Sequence, residues 1–526
     1  MRDFHLPGRS AVFASNGLCA TSNPLAANTA IELLKAGGNA MDAAIGAAVL
    51  LGLCEPPMTG IGGDCFALFT PPGEDRVIAL NGSGRAPAAA NPQALRDQGH
   101  DTISLIGALP VSVPGAIDGF CRLSADWGRL ALDQILAPAI RYADEGIPVP
   151  PRIAFDWAEA ESTLTGIARK HYLADDAPFR TGQLFRAPGQ AEVLRRIARD
   201  GRAGFYEGEV AEDMLAALNA AGGVHTEEDF AATLSDYGDP VSGMYKGIEL
   251  IEHPPNGQGA TAILMANILK HFDLGQLDPF GADRAHLEAE ATKLAHDARD
   301  RIIADPNHTS ALDRMLSDDL ADRLAGLIDP NRALPDPTPL TEALHRDTIC
   351  ISVVDRDLMK VSLIYSIFHS FGSGLASDRF GILFQNRGAG FNLIPGHPNE
   401  LGPGKRPLHT IIPGMLATDG RITMPFGVMG GGYQPTGHAR VLTNMVDFGM
   451  DPQSAIDGPR SFAAPGELRV ERGYSDQVRA ALADKGHTVV IPDEPIGGAQ
   501  AIRINWNTGV LEGASDPRKD GCAIGY

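Results

Sequence analysis

Thr348 follows Asp347 at the head of the run ICISVV, and its residue type can carry nucleophile and base together. A threonine hydroxyl is a weak nucleophile until a base stands beside it. If the Asp347–Thr348 bond is cut, Thr348 gains a free α-amine, whose pKa of roughly 7.7–8.0 suits a general base at neutral pH. No histidine or carboxylate is then required. The β-methyl narrows χ1 and holds the oxygen to few directions of attack. In the uncut chain the same hydroxyl can attack the Asp347 carbonyl and exchange amide for ester, leaving water to finish the cut. The commoner use of such a threonine is to open a buried strand, so the elements around it decide.

Those elements read clearly near Thr348. Ile349, Ile351 and Val353 alternate with other residues, as do Val361, Leu363 and Tyr365, and the polar DRDLMK between them predicts a hairpin. Ahead of Thr348 lies a stretch with Pro330, Pro335, Pro337 and Pro339 and several aspartates, expected to be an exposed, mobile linker over 307–347. Further upstream, Pro24 introduces an amphipathic helix, and Asn39 is placed to cap a second, nearly all-apolar helix ending at Cys54. GIGGDCFALF predicts a glycine turn into a strand, with RVIALNGSGRAP as its hairpin partner. Residues 110–239 read as mostly helical, and a long helix from His286 stops before Pro306. After the Thr348 hairpin we expect strands at GILFQN, IIPGMLAT, HTVVIP and AIRINW, and a helix from near His438. This order fits two stacked sheets with helices outside, a four-layer αββα sandwich.

Composition excludes several classes. With 526 residues and 44% hydrophobic content the chain can fill a sizeable core. A net charge of −21 lacks the basic footprint of nucleic-acid binding, so an anionic substrate would need a local cation to hold it. The longest apolar run, Ala43 to Cys54, is too short to span a bilayer. Six scattered cysteines without C-x-x-C spacing, and no basic-then-apolar leader, predict a cytoplasmic protein that uses neither metal nor cofactor. The Gly427–Gly437 run has no GxGxxG, so no dinucleotide site is expected. Nothing in the sequence speaks for an oligomeric state.

Several motifs, in order, resemble the γ-glutamyltranspeptidase family: TAIELLKAGGNAMDAAIGAAVLLGLCEPPMTGIGGDCF, VPGAIDG, FYEGE, EATKLAHDARDRIIADP, the Thr348 strand, FGSG, PGKRPL and GGGYQPTGHARVL. The resemblance runs from about Val12 to the C-terminus. It implies the αββα fold of N-terminal-nucleophile hydrolases and a precursor that cuts itself before Thr348. A large chain, 1–347, and a small catalytic chain, 348–526, would then form one αββα domain. It also implies an oxyanion hole at Gly430 and Gly431, where backbone N–H groups can approach a developing charge. Ser366 falls where the family has a threonine that hydrogen-bonds the nucleophile.

The chain departs from that family where a glutamyl group is held. The family's arginine position is Ser83 here, with Arg85 two residues on, and its serine pair is His409-Thr410. An acidic position is Gly390, an amide position is Arg387, and an asparagine is Phe368. The carboxylate that would neutralise a substrate ammonium is missing, and an uncompensated buried charge costs about 3–5 kcal/mol. Arg85 and Arg387 instead suit a carboxylate or oxo-acid, each through a two-pronged guanidinium, with His409 and Thr410 alongside. This pattern resembles the branch of acylases and amidohydrolases, and implies a small carboxylate-bearing amide of oxamate or glutaryl type. Two other readings stand beside it: a true γ-glutamyl transferase or glutathione hydrolase, and an uncleaved scaffold. Ile349, replacing the second threonine of the family's Thr-Thr start, bears on the efficiency of self-cleavage.

Overall fold

The alternating runs around Thr348 form the expected hairpin. Strand Ile349–Val354 pairs antiparallel with Lys360–Ser366, Ile349 lying opposite Tyr365 and Val354 opposite Lys360. The computed structural model describes residues 8–335 and 348–526; Asp347 and the rest of 336–347 lie outside the described residues.

That hairpin sits in the middle of one seven-stranded sheet, ordered Cys522–Gly525, Leu18–Thr21, Ile349–Val354, Lys360–Ser366, Asp64–Thr70, Ile78–Gly82 and Asp236–Gly238. A second seven-stranded sheet runs Val12–Ala14, Val510–Ser515, Gly498–Asn505, Arg421–Met429, Pro413–Thr418, Ile248–Glu252 and Val241–Tyr245. Every pairing in both is antiparallel. The sheets face each other across Phe66, Cys350, Ile364, Ile411 and Met429. On the outer side of the first sheet, Ile349, Ile351, Val353, Val361, Leu363 and Tyr365 pack on the Ala40–Cys54 helix. Helices Gly259–Leu269 and Gln434–Val446 cover the second sheet, Ala262, Ile263, Val441 and Leu442 joining Leu250, Leu416 and Phe426 in one cluster. The four expected layers are present.

Period two then has a consequence for the site. Odd-numbered residues of 349–365 face the helices, so even-numbered ones face the interior between the sheets. Both faces are covered, and both strands are buried at every residue. Among the described residues no helix is long and apolar enough to cross a membrane.

Three expectations need correction. GILFQN is not a strand: Gly381 sits at φ +66°, and the backbone of Phe384, Gln385 and Asn386 bonds to Leu375, Gly62 and Ile367 in loops. The first part of the expected linker is helical, at Leu312–Met315 and Asp318–Ala325. There the apolar spacing of Leu312, Met315, Leu316 and Leu320 packs against the Gly259–Leu269 helix and outweighs the prolines that follow. The helix expected near His438 begins at Gln434, with Pro435 in its first turn.

Candidate active site

Three neighbouring strands bring three side chains into a row. Ser366 lies opposite Asp64 in the strand register, and Thr348 precedes Ile349, whose partner is Tyr365. Thr348, Ser366 and Asp64 therefore stand side by side on the face between the sheets. Thr348 is 1% exposed, and its Oγ1 donates to Ser366 Oγ at 3.5 Å. Gln434 Nε2, at the start of its helix, donates to Thr348 Oγ1 at 3.5 Å. These are long contacts.

Arg387 closes the row from a short turn, Arg387–Gly390. Its Nη1 donates to Thr410 Oγ1 at 2.9 Å and its Nη2 reaches Ser366 Oγ at 3.4 Å. Its Nε is enclosed and has no hydrogen-bond partner. Nε and Nη2 form the two-pronged side of the guanidinium, and of the two only Nη2 is engaged, with Ser366 Oγ. The Phe368 ring lies against the guanidinium, 4.0 Å from ring centre to carbon. Phe368 has φ +79° and Phe371 φ +57°, each a strained backbone for a bulky residue, worth about 1–3 kcal/mol. The Phe368 N–H donates to Ser366 Oγ at 2.9 Å, which helps hold that turn in place.

Asp64 was not foreseen from the sequence. Its Oδ1 accepts from Gly84 N at 2.9 Å, Gly115 N at 3.2 Å and Gln385 Nε2 at 2.8 Å, while Oδ2 meets His409 Nε2 at 3.2 Å. Burial pushes its carboxyl up to about 6, against the pull of Arg387 and these donors. Burial likewise pulls the Arg387 guanidinium down to about 9, Asp64 offsetting part. His409 is held well below its ordinary value by burial and then by Arg387, so it is neutral. Its backbone is fastened on both sides, His409 N to Asn256 O at 2.8 Å and Gln258 N to His409 O at 3.1 Å.

Gly430 and Gly431 take φ +116° and +57° between the strand end at Met429 and the Gln434 helix. Side chains would resist these values. Gln258 Nε2 bridges Thr410 O at 2.7 Å and Gly431 O at 3.0 Å, tying this turn to the Arg387 side of the site.

Arg85 is not part of this group. It pairs at 3.6 Å with both Asp236 and Asp305 and donates to Gly404 O at 3.1 Å, lining a separate cleft with Arg406. Thr348, Ser366, Arg387, Thr410 and His409 come together as a cluster, with Gly431 linked to it through Gln258. Asp64, Gln258 and Gln434 complete it. The signal for them lay in glycine-rich surroundings, GIGGD, NGQG and GGYQP, where a polar residue beside a turn must find a partner.

The family model for Gamma-glutamyltranspeptidase matches residues 26–526. The chain is 34% identical to the glutathione hydrolase-like YwrD proenzyme of Bacillus subtilis, with 98% of this chain and 99% of that protein covered. It is also 34% identical to the oxamate amidohydrolase proenzyme of Klebsiella pneumoniae, again over 98% and 99%. Among solved structures, a cephalosporin acylase from Bacillus halodurans superposes with a TM-score of 0.93 at 38% identity, covering 100% of this chain and 99% of that one.

Proposed function

The chain belongs to the γ-glutamyltranspeptidase family, and on that premise we propose a self-processing amide hydrolase whose nucleophile is Thr348 and whose acyl donor carries a carboxylate gripped by Arg387. The observation that carries this reading is the buried, unpartnered Nε of Arg387, whose Nη2 bonds the same Ser366 hydroxyl that Thr348 Oγ1 donates to. A buried guanidinium N–H with no partner is costly unless a ligand completes it.

In the precursor, Thr348 Oγ1 attacks the Asp347 carbonyl and the C–N bond gives way to an ester. Water hydrolyses the ester, leaving the Asp347 carboxylate and the Thr348 amine. That amine takes the hydroxyl proton as Oγ1 attacks the substrate carbonyl. The tetrahedral oxyanion accepts hydrogen bonds from the backbone of Gly430 and Gly431. The protonated amine then hands its proton to the leaving nitrogen, which departs as ammonia or amine. Water, deprotonated by the same amine, resolves the ester to a free acid. Ser366 steadies Oγ1, and Gln434 donates to it.

Geometry favours a short acyl group. Thr348 Oγ1 and Arg387 Nη2 are no further apart than 3.5 Å and 3.4 Å laid end to end through Ser366 Oγ. A reacting carbonyl carbon needs about 3–3.5 Å to the nucleophile, and a carboxylate oxygen about 2.7–2.9 Å to the guanidinium. With C–C bonds of about 1.5 Å, an oxalyl group spans that gap directly and a glutaryl group must fold to fit. Asp64, already committed to two backbone N–H groups and Gln385, is poorly placed to neutralise an α-ammonium as well.

The test is ammonia release from oxamate, succinamate and glutaramate, with glutathione as the comparison. Oxamate turning over fastest supports the reading. Glutathione preferred by tenfold or more in kcat/KM would replace it with a γ-glutamyl enzyme.

A further inference from the structure

Away from Thr348, the fold assembles a cluster that belongs to no step above. His286 and Glu290 are one turn apart on the long helix Ala282–Ile302, on the same face. His487 comes to them from the loop before the short strand Val489–Val490. All three are buried, and one donor atom from each lies within 4.8 Å of the others.

We propose that His286 Nδ1, His487 Nε2 and Glu290 Oε1 form a binding site for a divalent zinc-type cation. Two imidazoles and a carboxylate are the donor set that borderline cations select, with solvent in a fourth position. His286 Nε2 donates to the Asp329 carbonyl at 2.8 Å, which leaves the lone pair on Nδ1. A backbone carbonyl behind a ligand histidine is the usual outer support of such sites. Nδ1 lies 2.8 Å from His487 Nε2, and His487 Nε2 lies 4.0 Å from Glu290 Oε1. Ligand atoms about 2.0–2.2 Å from one ion stand about 3.3 Å apart, so His286 Nδ1 and His487 Nε2 need to part by about 0.5 Å, and His487 Nε2 and Glu290 Oε1 to close by about 0.7 Å. Glu290 Oε2 accepts from Leu334 N at 2.7 Å, whereas its buried Oε1 accepts no hydrogen bond, although the Lys293 ammonium is 3.1 Å away.

Binding makes three coordinate bonds. His487 passes to its Nδ1–H tautomer to free Nε2, and the Lys293 ammonium, which also bonds Leu334 O at 3.0 Å, withdraws from Glu290. His286 and Glu290 precede residue 348 and His487 follows it, so the ion ties together the two stretches that a cut before Thr348 would separate.

The experiment uses untagged full-length protein, stripped with EDTA and dialysed against zinc or cobalt(II) chloride. About one equivalent of zinc by elemental analysis is expected, with tetrahedral-type visible bands for cobalt. A zinc-dependent rise in Tm accompanies them, and H487Q and E290Q abolish all three while still hydrolysing amide. Stripped wild type that takes up less than a fifth of an equivalent overturns the site. So does H487Q, or E290Q if H487Q fails to fold, binding as much as wild type. Because these readouts are independent of turnover, loss of the amidase reading would leave them untouched.

Discussion

Arg460 and Arg387 are both enclosed, and they are equipped very differently. Arg460 pairs with Asp516, donates to Ile496 O at 2.8 Å, and shares Asp516 with Arg518, which itself grips Glu471 at 2.6 and 2.7 Å. Burial pushes the Asp516 and Glu471 carboxyls up, but the two arginines more than reverse this and hold both below their usual range. Arg387 instead has two hydroxyls, an aromatic ring, an unpartnered Nε and the charge of Asp64, which offsets only part of the burial. The first cluster is complete without a ligand. In the second, Arg387 Nε has no hydrogen-bond partner, and the proposed acyl donor's carboxylate would supply one.

That contrast can be attacked directly. The largest effect belongs to the proposed nucleophile: T348A should remain a single full-length band on a denaturing gel and lose at least ~10⁴-fold in amide turnover. Persisting cleavage and turnover would end the account. Next come the two arginines. R460M should lose about 3–5 kcal/mol of unfolding free energy in urea, because Asp516 is left buried and less well paired. R387M should be less destabilised than R460M, because Asp64 keeps its bonds to Gly84 N, Gly115 N and Gln385, yet lose ~10²-fold or more in kcat/KM for a carboxylate amide. If R387M is as destabilised as R460M, Arg387 is structural and the comparison fails.

Smaller effects sharpen it. S366A should cost about tenfold in kcat, since it removes a supporting hydroxyl and leaves the cation in place. The kcat/KM profile of the wild type should rise with pH through roughly 7.7–8.0 as the Thr348 amine loses its proton. Asp64, with its folded-state value raised to about 6, works in the opposite sense on stability. The folded state binds that proton more tightly than the unfolded one. Its contribution is therefore fully present below the unfolded value and is lost as pH rises through about 6. Urea unfolding between pH 4 and 7 should show that loss in the wild type, and D64N should lack it.

How far the sequence was readable varies by residue. The Thr348 hairpin was legible because side-chain alternation and a polar turn are local signals. The Ala40–Cys54 helix was legible from Asn39 and an unbroken apolar run, and its capping box with Asp42 is formed. GILFQN misled because β-branched and aromatic residues there serve a loop buried by its neighbours. The helices at 312–325 were missed because the prolines beyond them dominated the reading. Arg85 was placed with the substrate on sequence proximity to Ser83, whereas its charge is taken up by Asp236 and Asp305.

The sequence alone determined the family and the layer order and pointed to Thr348 as the proposed nucleophile, since each depends on pattern and on residue type. Tertiary structure decided which arginine faces that threonine, that Asp64 and His409 share its enclosure, and that His286, Glu290 and His487 meet at all. Such meetings depend on strand register and on helices returning across hundreds of residues, and no local pattern records them.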